Sequence, residues 1–356
     1  MANLIKKIKS KFSSYKKKTT PETINYDMEI RSDNIIKIIF FLPVSDYPSG
    51  GIIVAHDHSE TINELGFEQY ISEIMYPTDI NFVPKLFVHN SQFKRDYKID
   101  LKKDFIILPE VMALRYAEKL NRNAIKFGIH VQNGYLLNLE CNPNPNSISK
   151  LKKAYQSASL IIGNSNDTIE NIKFIFPEVA TKIIRSYFVI NKNRYQQIQT
   201  KKNYITYMPR KLSKHSQLLL FFLNEKIPNN WKIIPIDGVT EQEVYNIFYE
   251  SKIFLSFSEF EGLAMPPAMA AMSGNMVIGY TGEANKEYFH LPCFDEVPCG
   301  DIKLFASKVI ETINKYENDN IVLDMNSIQY LESLFSKEKQ KKFLSDLIFQ
   351  VDNLLK

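Results

Sequence analysis

Short apolar runs that favour strands alternate with helix-like segments along most of this 356-residue chain. Residues 34–43 (NIIKIIFFLP) form the first such run, and the runs at 104–108 and 125–131 flank a helical segment at 111–121. A strand signal followed by a helix signal, repeated many times, is typical of parallel sheets covered by helices. The sequence therefore predicts an α/β fold.

A polar stretch at residues 191–203 (NKNRYQQIQTKKN) divides this alternation into two series. The chain is also longer than one core usually supports, since single cores stop growing at about 250–300 residues. We therefore predict an N-terminal domain over residues 22–195 and a C-terminal domain over residues 196–356. Ligands of open α/β sheets bind beyond the carboxyl ends of the strands, so the cleft between the domains is the expected site.

The positive charge of the chain is concentrated in residues 1–21, which hold seven lysines and no acidic residue. Removing these seven charges from the net charge of +4 leaves −3 for the remainder, which argues against a nucleic-acid-binding body. Four apolar residues recur in this segment at helical spacing, namely Ile5, Ile8, Phe12 and Tyr15. A basic amphipathic helix over residues 1–18 suits an anionic membrane surface, and a solvated arm docked on the body fits the same pattern.

The cysteine content and the apolar runs bear on location. Three cysteines without a secretory leader indicate a reducing, cytoplasmic setting. The longest apolar stretch, residues 35–44, contains Lys37 and falls short of the about 20 residues that a transmembrane helix needs. We therefore expect a cytoplasmic protein, with residues 1–18 as the candidate contact to the inner face of the membrane. No Cys/His cluster has zinc spacing and no DxD motif follows a strand, so no metal is expected.

Residues 251–289 carry the most chemical information. A strand over 253–257 leads into a loop with Glu259 and Glu261, then Gly262, and a helix opens near Pro266. Backbone N–H groups at a helix start bind anions, and a carboxylate beside them accepts hydrogen bonds from sugar hydroxyls. An ordinary strand–loop–helix unit with exposed glutamates fits the same residues.

The same stretch resembles the donor-binding segment of retaining GT-B-fold glycosyltransferases of the family-4 type, which use nucleotide-diphosphate sugars. Residues 261–267 (EGLAMPP) are similar to its start, 272–278 (MSGNMVI) to its end, and 281–288 (TGEANKEY) to the glycine-rich turn and the following glutamate. With 207–210 (YMPR), they resemble a bacterial branch that builds surface polysaccharides such as capsule and lipopolysaccharide, and that includes rhamnosyltransferases. The resemblance spans about residues 34–315.

This resemblance implies the GT-B fold, in which two Rossmann-like domains face a cleft and the last helix packs back on the N-terminal domain. It also implies transfer of a hexosyl or deoxyhexosyl group from a nucleotide sugar to a glycan or lipid-linked acceptor, with retention of anomeric configuration. In that chemistry the leaving phosphate acts as the base. No protein nucleophile, no cofactor and no obligatory metal are therefore expected.

Roles for individual residues follow from the same resemblance. Glu261 contacts the donor sugar hydroxyls and His130 lies over the reacting sugar, so these two are the catalytic candidates. The donor-binding candidates are Arg210, Lys211, Lys214, Gly262, Leu263, Ala264 and Glu287. The acceptor or cleft candidates are Gly50, Gly51, Glu110 and Asn133. Fixed cations beside the diphosphate stabilise the charge that grows on it as the glycosidic bond breaks.

One position departs from the family pattern. Those enzymes carry a second glutamate that holds the donor ribose, and this chain has Met269 there, whose thioether does not replace a carboxylate as hydrogen-bond acceptor. Ala264 also stands where glycine is common. These departures favour the alternative of a catalytically silent homologue that acts as a binding or scaffold subunit. A GT-B-fold sugar-nucleotide 2-epimerase is a second enzymatic alternative.

Overall fold

Parallel sheets with helices on their faces build the part of the chain that the computed structural model describes. The described residues are 26–45, 49–77, 89–91, 93–94, 97–190, 201–319, 321 and 324–356. The amphipathic segment predicted at 1–18 lies outside them, as do most of a strand that the sequence pattern predicts at 82–89 and most of the polar linker at 191–203.

The N-terminal domain is built on one large parallel sheet. Its strands are β2 (Ile36–Phe41), β3 (Tyr70–Met75), β4 (Phe93–Lys94), β6 (Asp104–Pro109), β7 (Phe127–Val131), β8 (Leu160–Gly163) and β9 (Ile183–Arg185), in the order β4–β3–β2–β6–β7–β8–β9, while β1 (Tyr26–Met28) and β5 (Tyr97–Ile99) pair separately. In β2, the side chains from Ile38 to Phe41 are at most 1% exposed. Both faces of this strand are therefore covered, which explains its continuous apolar sequence.

Helices cover both faces of this sheet. They are α1 (Gly50–Glu64), α2 (Glu110–Arg122), α3 (Pro145–Ser157) and α4 (Asn166–Ile175), followed by a 3-10 turn over Pro177–Lys182. In α2 the buried apolar residues Met112, Ala113, Tyr116 and Leu120 recur every three or four positions. This spacing places them on one helical face, which packs against the sheet.

The C-terminal domain repeats the arrangement. Its strands are β10 (Lys202–Tyr207), β11 (Lys232–Pro235), β12 (Ser251–Glu261), β13 (Met276–Glu283) and β14 (Phe294–Glu296), in the parallel order β11–β10–β12–β13–β14. Its helices are α5 (Ser213–Leu223), α6 (Glu241–Glu250), α7 (Met265–Met272), α8 (Lys286–Phe289), α9 (Ile302–Glu317) and α10 (Met325–Leu334). The central strand β12 is buried from Ile253 to Ser258 and leaves the sheet at Glu261.

The helix α11 (Lys337–Leu355) follows the C-terminal domain in the chain but packs against the N-terminal sheet. Its buried residues Phe343, Leu344, Leu347, Ile348 and Val351 belong to the same apolar cluster as Ile38 and Phe40 of β2. The core of the N-terminal domain is thus completed by residues from the far end of the sequence.

The predicted α/β fold with two parallel sheets is confirmed. Several elements escape the sequence patterns, namely the strands β1, β3, β4, β5 and β14 and the helices α8 and α10. Strand β3 (YISEIM) is interrupted by Ser72 and Glu73, which are nevertheless buried. Ser72 Oγ donates to the carbonyl oxygen of Ile38, and the Glu73 carboxylate lies 4.0 Å from Lys37 Nζ. The Ser72 hydroxyl is thus hydrogen-bonded, and the Glu73 charge has a cation near it, which lowers the cost of burying these polar side chains. No described helix combines the length and apolar composition that a bilayer span needs.

Candidate active site

A cavity of about 1000 Å³ lies between the two domains, at the carboxyl ends of their strands. One wall comes from the loop after β2, the start of α1, the β6–α2 junction and the loop after β7. The other wall comes from the loop after β10, from β12 and from the start of α7. Parallel strands end at one edge of their sheet, and this is the edge where ligands of open α/β folds bind.

Most of the predicted site residues line this cavity. From the N-terminal domain they are Gly50, Gly51, Glu110, His130 and Asn133, and from the C-terminal domain Arg210, Lys211, Glu261, Gly262, Leu263 and Ala264. Two predicted donor-binding residues do not line it. Lys214 is exposed at the second position of α5, and the Glu287 carboxylate is bound at another place, described below.

The charged groups of the C-terminal wall are paired with one another. Lys211 Nζ donates to the carboxylate of Glu261, and the Glu261 side chain is 21% exposed. Arg210 Nε lies 3.3 Å from Asp237 Oδ1, and both of these side chains are mostly exposed. Exposed ion pairs contribute little to stability and exchange partners readily. The two cations are thus able to turn toward an anion in the cavity.

The start of α7 offers fewer N–H donors than its position suggests. Pro266 and Pro267 occupy its first turn and carry no N–H group. The N–H of Ala264 already donates to Asn285 Oδ1 at 2.8 Å, and the Ala264 carbonyl accepts from the Tyr288 hydroxyl at 2.8 Å. The predicted amide donation by Ala264 therefore competes with Asn285, and the side chains of Arg210 and Lys211 carry most of the positive charge at this wall.

Gly262 lies where the two domains touch. A Cβ atom at this position would overlap the backbone carbonyl oxygen of Gln132 and lie 2.7 Å from the Cα of Asn133. The neighbouring Asn133 Nδ2 donates to the carbonyl oxygen of Phe260 at 3.0 Å. Glycine is required here because backbone atoms of both domains meet, and this contact fixes the position of Glu261 relative to the N-terminal wall.

Glu110 is the first residue of α2 and is buried. Its two carboxylate oxygens accept the backbone N–H groups of Gln132 and Asn133, each at 3.1 Å. Burial raises the pKa of this carboxyl to about 7, against the opposite effect of those hydrogen bonds. Glu110 therefore holds the loop after β7 in place, and this loop forms part of the N-terminal wall. Glu110 itself also lines the cavity.

His130 is the next-to-last residue of β7 and is 2% exposed. Its Nε2 lies 3.3 Å from Ser186 Oγ, and its ring stacks on His58 with centroids 5.7 Å apart. Burial, with a smaller contribution from His58, lowers the pKa of His130 to about 3. The imidazole is therefore neutral near pH 7, so His130 can give or accept a hydrogen bond but does not bring a positive charge to the cavity.

Glu287 bridges the domains instead of lining the cavity. Its carboxylate accepts Arg185 Nη1 at 2.9 Å and Nη2 at 2.8 Å, and it also accepts the backbone N–H of Asn166 at the start of α4. The Arg185 and Glu287 side chains are 14% and 13% exposed. A two-pronged, mostly buried pair of this kind fixes geometry, so the carboxylate ties α8 to the N-terminal sheet.

Met269 does not line the cavity. Its partly buried side chain packs against the apolar cluster of α7, which includes Phe248, Phe254 and Ala270. The thioether therefore fits the local packing.

The cavity also contains polar residues that the sequence-based list omits, namely Gln132, Asn164, Arg115 and Glu140. Asn164 follows β8 directly and donates through Nδ2 to the Gln132 carbonyl oxygen at 2.6 Å. A polar residue that directly follows a buried strand is a usable signal, since such residues share the carboxyl edge of the sheet. Arg115 lies within α2, where no comparable signal exists.

Comparison with known proteins gives one curated relative with a stated activity, and no family model matches the chain. The alpha-1,6-glucosyltransferase of Actinobacillus pleuropneumoniae serotype 7 (strain AP76) is 25% identical over 325 residues. The matched region covers 85% of this chain and 92% of that protein.

Solved structures match over nearly the whole chain. Sucrose-phosphate synthase from Thermosynechococcus elongatus gives a TM-score of 0.70 at 10% identity, covering 90% of this chain and 100% of that one. Anabaena Alr3699/HepE in complex with UDP-glucose gives 0.61 at 13% identity, covering 88% and 99%. The lipopolysaccharide outer core galactosyltransferase WaaB gives 0.61 at 14% identity, covering 89% and 100%. The chain therefore has the GT-B fold of these structures.

Proposed function

We propose that this protein is a glycosyltransferase that moves a sugar from a nucleotide-diphosphate donor to a glycan or lipid-linked acceptor in surface polysaccharide synthesis, with retention of anomeric configuration. The observation that carries the proposal is the interdomain cavity in which Glu261, Arg210 and Lys211 of one domain face His130 of the other. The match to the glucosyltransferase relative covers most of this chain and most of that protein, and it supports the same class of reaction.

Donor binding exchanges the ion pairs of the C-terminal wall. Lys211 leaves Glu261 for the diphosphate, together with Arg210, and Glu261 then accepts hydrogen bonds from sugar hydroxyls. Negative charge grows on the diphosphate as its bond to the sugar breaks, and the two cations stabilise that charge. The leaving phosphate takes the acceptor proton, so the mechanism uses no protein nucleophile and no obligatory metal. Neutral His130 serves as a hydrogen-bond partner of the sugar.

The experiment is an assay of nucleotide release and sugar transfer over a panel of nucleotide sugars. UDP-glucose is tested first, because one relative is named an alpha-1,6-glucosyltransferase and one matching structure is described with UDP-glucose. We expect one donor to release nucleotide diphosphate, with a product that keeps the donor's anomeric configuration by NMR and with unchanged rate in EDTA.

Two other results would favour the alternatives. Nucleotide binding without release or transfer from any donor would support a silent scaffold subunit, the reading that Met269 favours. Release of free nucleotide together with a 2-deoxy-glycal would support the sugar-nucleotide 2-epimerase. An inverted product would contradict retention while leaving the transferase class in place.

A peripheral contact between the basic residues 1–18 and the inner membrane face completes the proposal. Each lysine near an anionic surface contributes up to about 1 kcal/mol. Deleting residues 1–21 should abolish co-sedimentation with liposomes that contain anionic lipid and should leave transfer to a soluble acceptor unchanged. Equal sedimentation of both forms would rule out this contact.

A further inference from the structure

The cavity has a second charged region, on the wall opposite the proposed donor site. Among the described residues that line the cavity, the permanent cations are Arg210 and Lys211 of the C-terminal domain and Arg115 of the N-terminal domain. Arg115 projects from the middle of α2, and its Nη2 donates to the carboxylate of Glu140. The donor site uses the first two cations, so Arg115 is left without a part in the reaction described above.

The conformation of the loop that carries Glu140 places this residue at the cavity. Glu140 has a φ of +67°, a conformation that side-chain-bearing residues rarely adopt. Turn hydrogen bonds from Leu136 N to Asn133 O and from Leu139 N to Leu136 O lead up to it. The buried Leu137 anchors the loop in the N-terminal core. The turn therefore places Glu140 beside Arg115, and the ion pair orients the guanidinium, with the two side chains 39% and 33% exposed.

Two leucines of the same loop line the cavity beside this ion pair. Leu136 is 37% exposed and Leu139 is 46% exposed, although both neighbour the buried Leu137. Apolar side chains on a cavity wall next to an oriented cation match a ligand that joins an anionic group to an apolar chain. A guanidinium has five N–H donors in one plane, so it can engage Glu140 and a ligand oxyanion together.

We propose that Arg115, oriented by Glu140, binds the phosphate of a lipid-phosphate acceptor, and that Leu136 and Leu139 contact the adjoining lipid chain. This inference rests on the proposed transferase function and names the acceptor class for the N-terminal wall. It places the anionic head of the acceptor across the cavity from the cations that hold the donor diphosphate.

The test measures binding by calorimetry with farnesyl phosphate below its critical micelle concentration, farnesol and inorganic phosphate. We expect Arg115→Ala to weaken farnesyl phosphate binding about 10- to 100-fold, the loss typical of a charge-assisted hydrogen-bond pair. The matched control is Arg122→Ala, which removes an exposed arginine of the same helix that pairs with Glu118. Phosphate bound by the donor-side cations is unaffected by either change, so the difference between the two variants reports Arg115.

The three probes separate the parts of the proposal. Farnesol should bind at least tenfold more weakly than farnesyl phosphate, and Leu139→Ser should reduce the preference for farnesyl phosphate over inorganic phosphate. Equal farnesyl phosphate affinity in Arg115→Ala and Arg122→Ala would overturn the role of Arg115. Inorganic phosphate bound through Arg115 as tightly as farnesyl phosphate would overturn the lipid assignment. Failure of the transferase proposal would show separately, as a wild-type protein that transfers sugar from no donor although Arg115→Ala still weakens farnesyl phosphate binding.

Discussion

Glu261 and Lys211 form an ion pair inside the cavity, so each must exchange its partner when a donor binds. The exchange is inexpensive because the Lys211 side chain is 52% exposed and its pair with Glu261 is partly solvated. Glu261 has a second constraint, since the adjacent Gly262 fixes it against the N-terminal wall. The carboxylate is thus held in place while its cation is free to move.

Glu261→Gln is expected to lower the transfer rate by about 100-fold, because a neutral amide holds the sugar hydroxyls more weakly than a carboxylate and small misplacements of the reacting carbon slow the reaction strongly. Nucleotide affinity should change little, since it depends on Arg210 and Lys211. The measurement is kcat beside the calorimetric affinity for the nucleotide diphosphate. Glu259→Gln, an exposed carboxylate two residues earlier in β12, is the control. A wild-type kcat in Glu261→Gln would remove this residue from the catalytic site.

The sequence identifies a single site residue only where its local pattern also places it at the carboxyl end of a predicted strand. Glu261 comes shortly after the buried part of β12 and precedes glycine, so its place at the cavity could be predicted. Glu287 has a comparable local pattern, but its carboxylate meets Arg185, which is 102 residues away in the chain. Arg115 could not be predicted as a site residue, because its partner Glu140 lies on a loop whose course no short-range pattern determines. Long-range contacts therefore set the limit of what the sequence predicts at this scale.

At the scale of elements, the loop between β12 and α7 has the most tightly constrained backbone. It leaves a buried strand, passes the N-terminal backbone at Gly262 and enters a helix through two prolines. The prolines fix the backbone at the helix start while removing N–H donors. This loop is therefore rigid, and it positions Glu261 more than it binds phosphate through its amides.

Gly262→Ala is expected to lower the transfer rate at least about tenfold, since the new methyl meets backbone atoms of Gln132 and Asn133 and pushes the domains apart. Gly50→Ala is the comparison, because its Cβ meets the terminal methyl of the Met265 side chain at 3.1 Å, which can move aside. Circular dichroism should show both variants folded. Equal rates in the two variants would contradict the tight approach at Gly262.

Elements with a clear local pattern were predictable, and several short or polar ones were not. Helix α6 was predictable because its residues carry a full capping box at Thr240 and Glu243. Strand β3 was missed because Ser72 and Glu73 break its apolar pattern, and the groups they contact, the Ile38 carbonyl and Lys37, lie on β2. A local pattern cannot show that a buried polar side chain will find its partner elsewhere in the fold.

At the scale of the whole molecule, an ion pair joins the two domains, in addition to the contacts between them at the cavity. Glu287 of α8 binds Arg185 of β9 and the first N–H of α4. Both side chains are mostly buried, so removing one partner leaves the other charge poorly solvated. The pair therefore stabilises the relative orientation of the two domains in the form of the protein described here.

Arg185→Ala is expected to destabilise the protein by about 3–5 kcal/mol, the cost of breaking a buried pair, and to increase the radius of gyration. Thermal unfolding and small-angle X-ray scattering measure the two effects. Lys286→Ala is the control, because it removes an exposed pair with Glu283 within one domain and should cost at most about 1 kcal/mol. An unchanged radius with a normal melting temperature would show that Arg185 does not hold the domains.

Because α11 packs on the N-terminal sheet, the N-terminal domain cannot complete its core until the end of the chain has been synthesised. Domains generally fold as they leave the ribosome, at about 5–20 residues per second. Here the sheet face that bears Ile38 and Phe40 is covered only in part, by Ile52 and Ile62 of α1, until Phe343 to Val351 have been made. That is about 160 residues after β9, a delay of roughly 8–30 s at this rate. The first half of the protein is therefore a nascent chain with an open core, exposed to chaperones and to aggregation until α11 emerges and closes it.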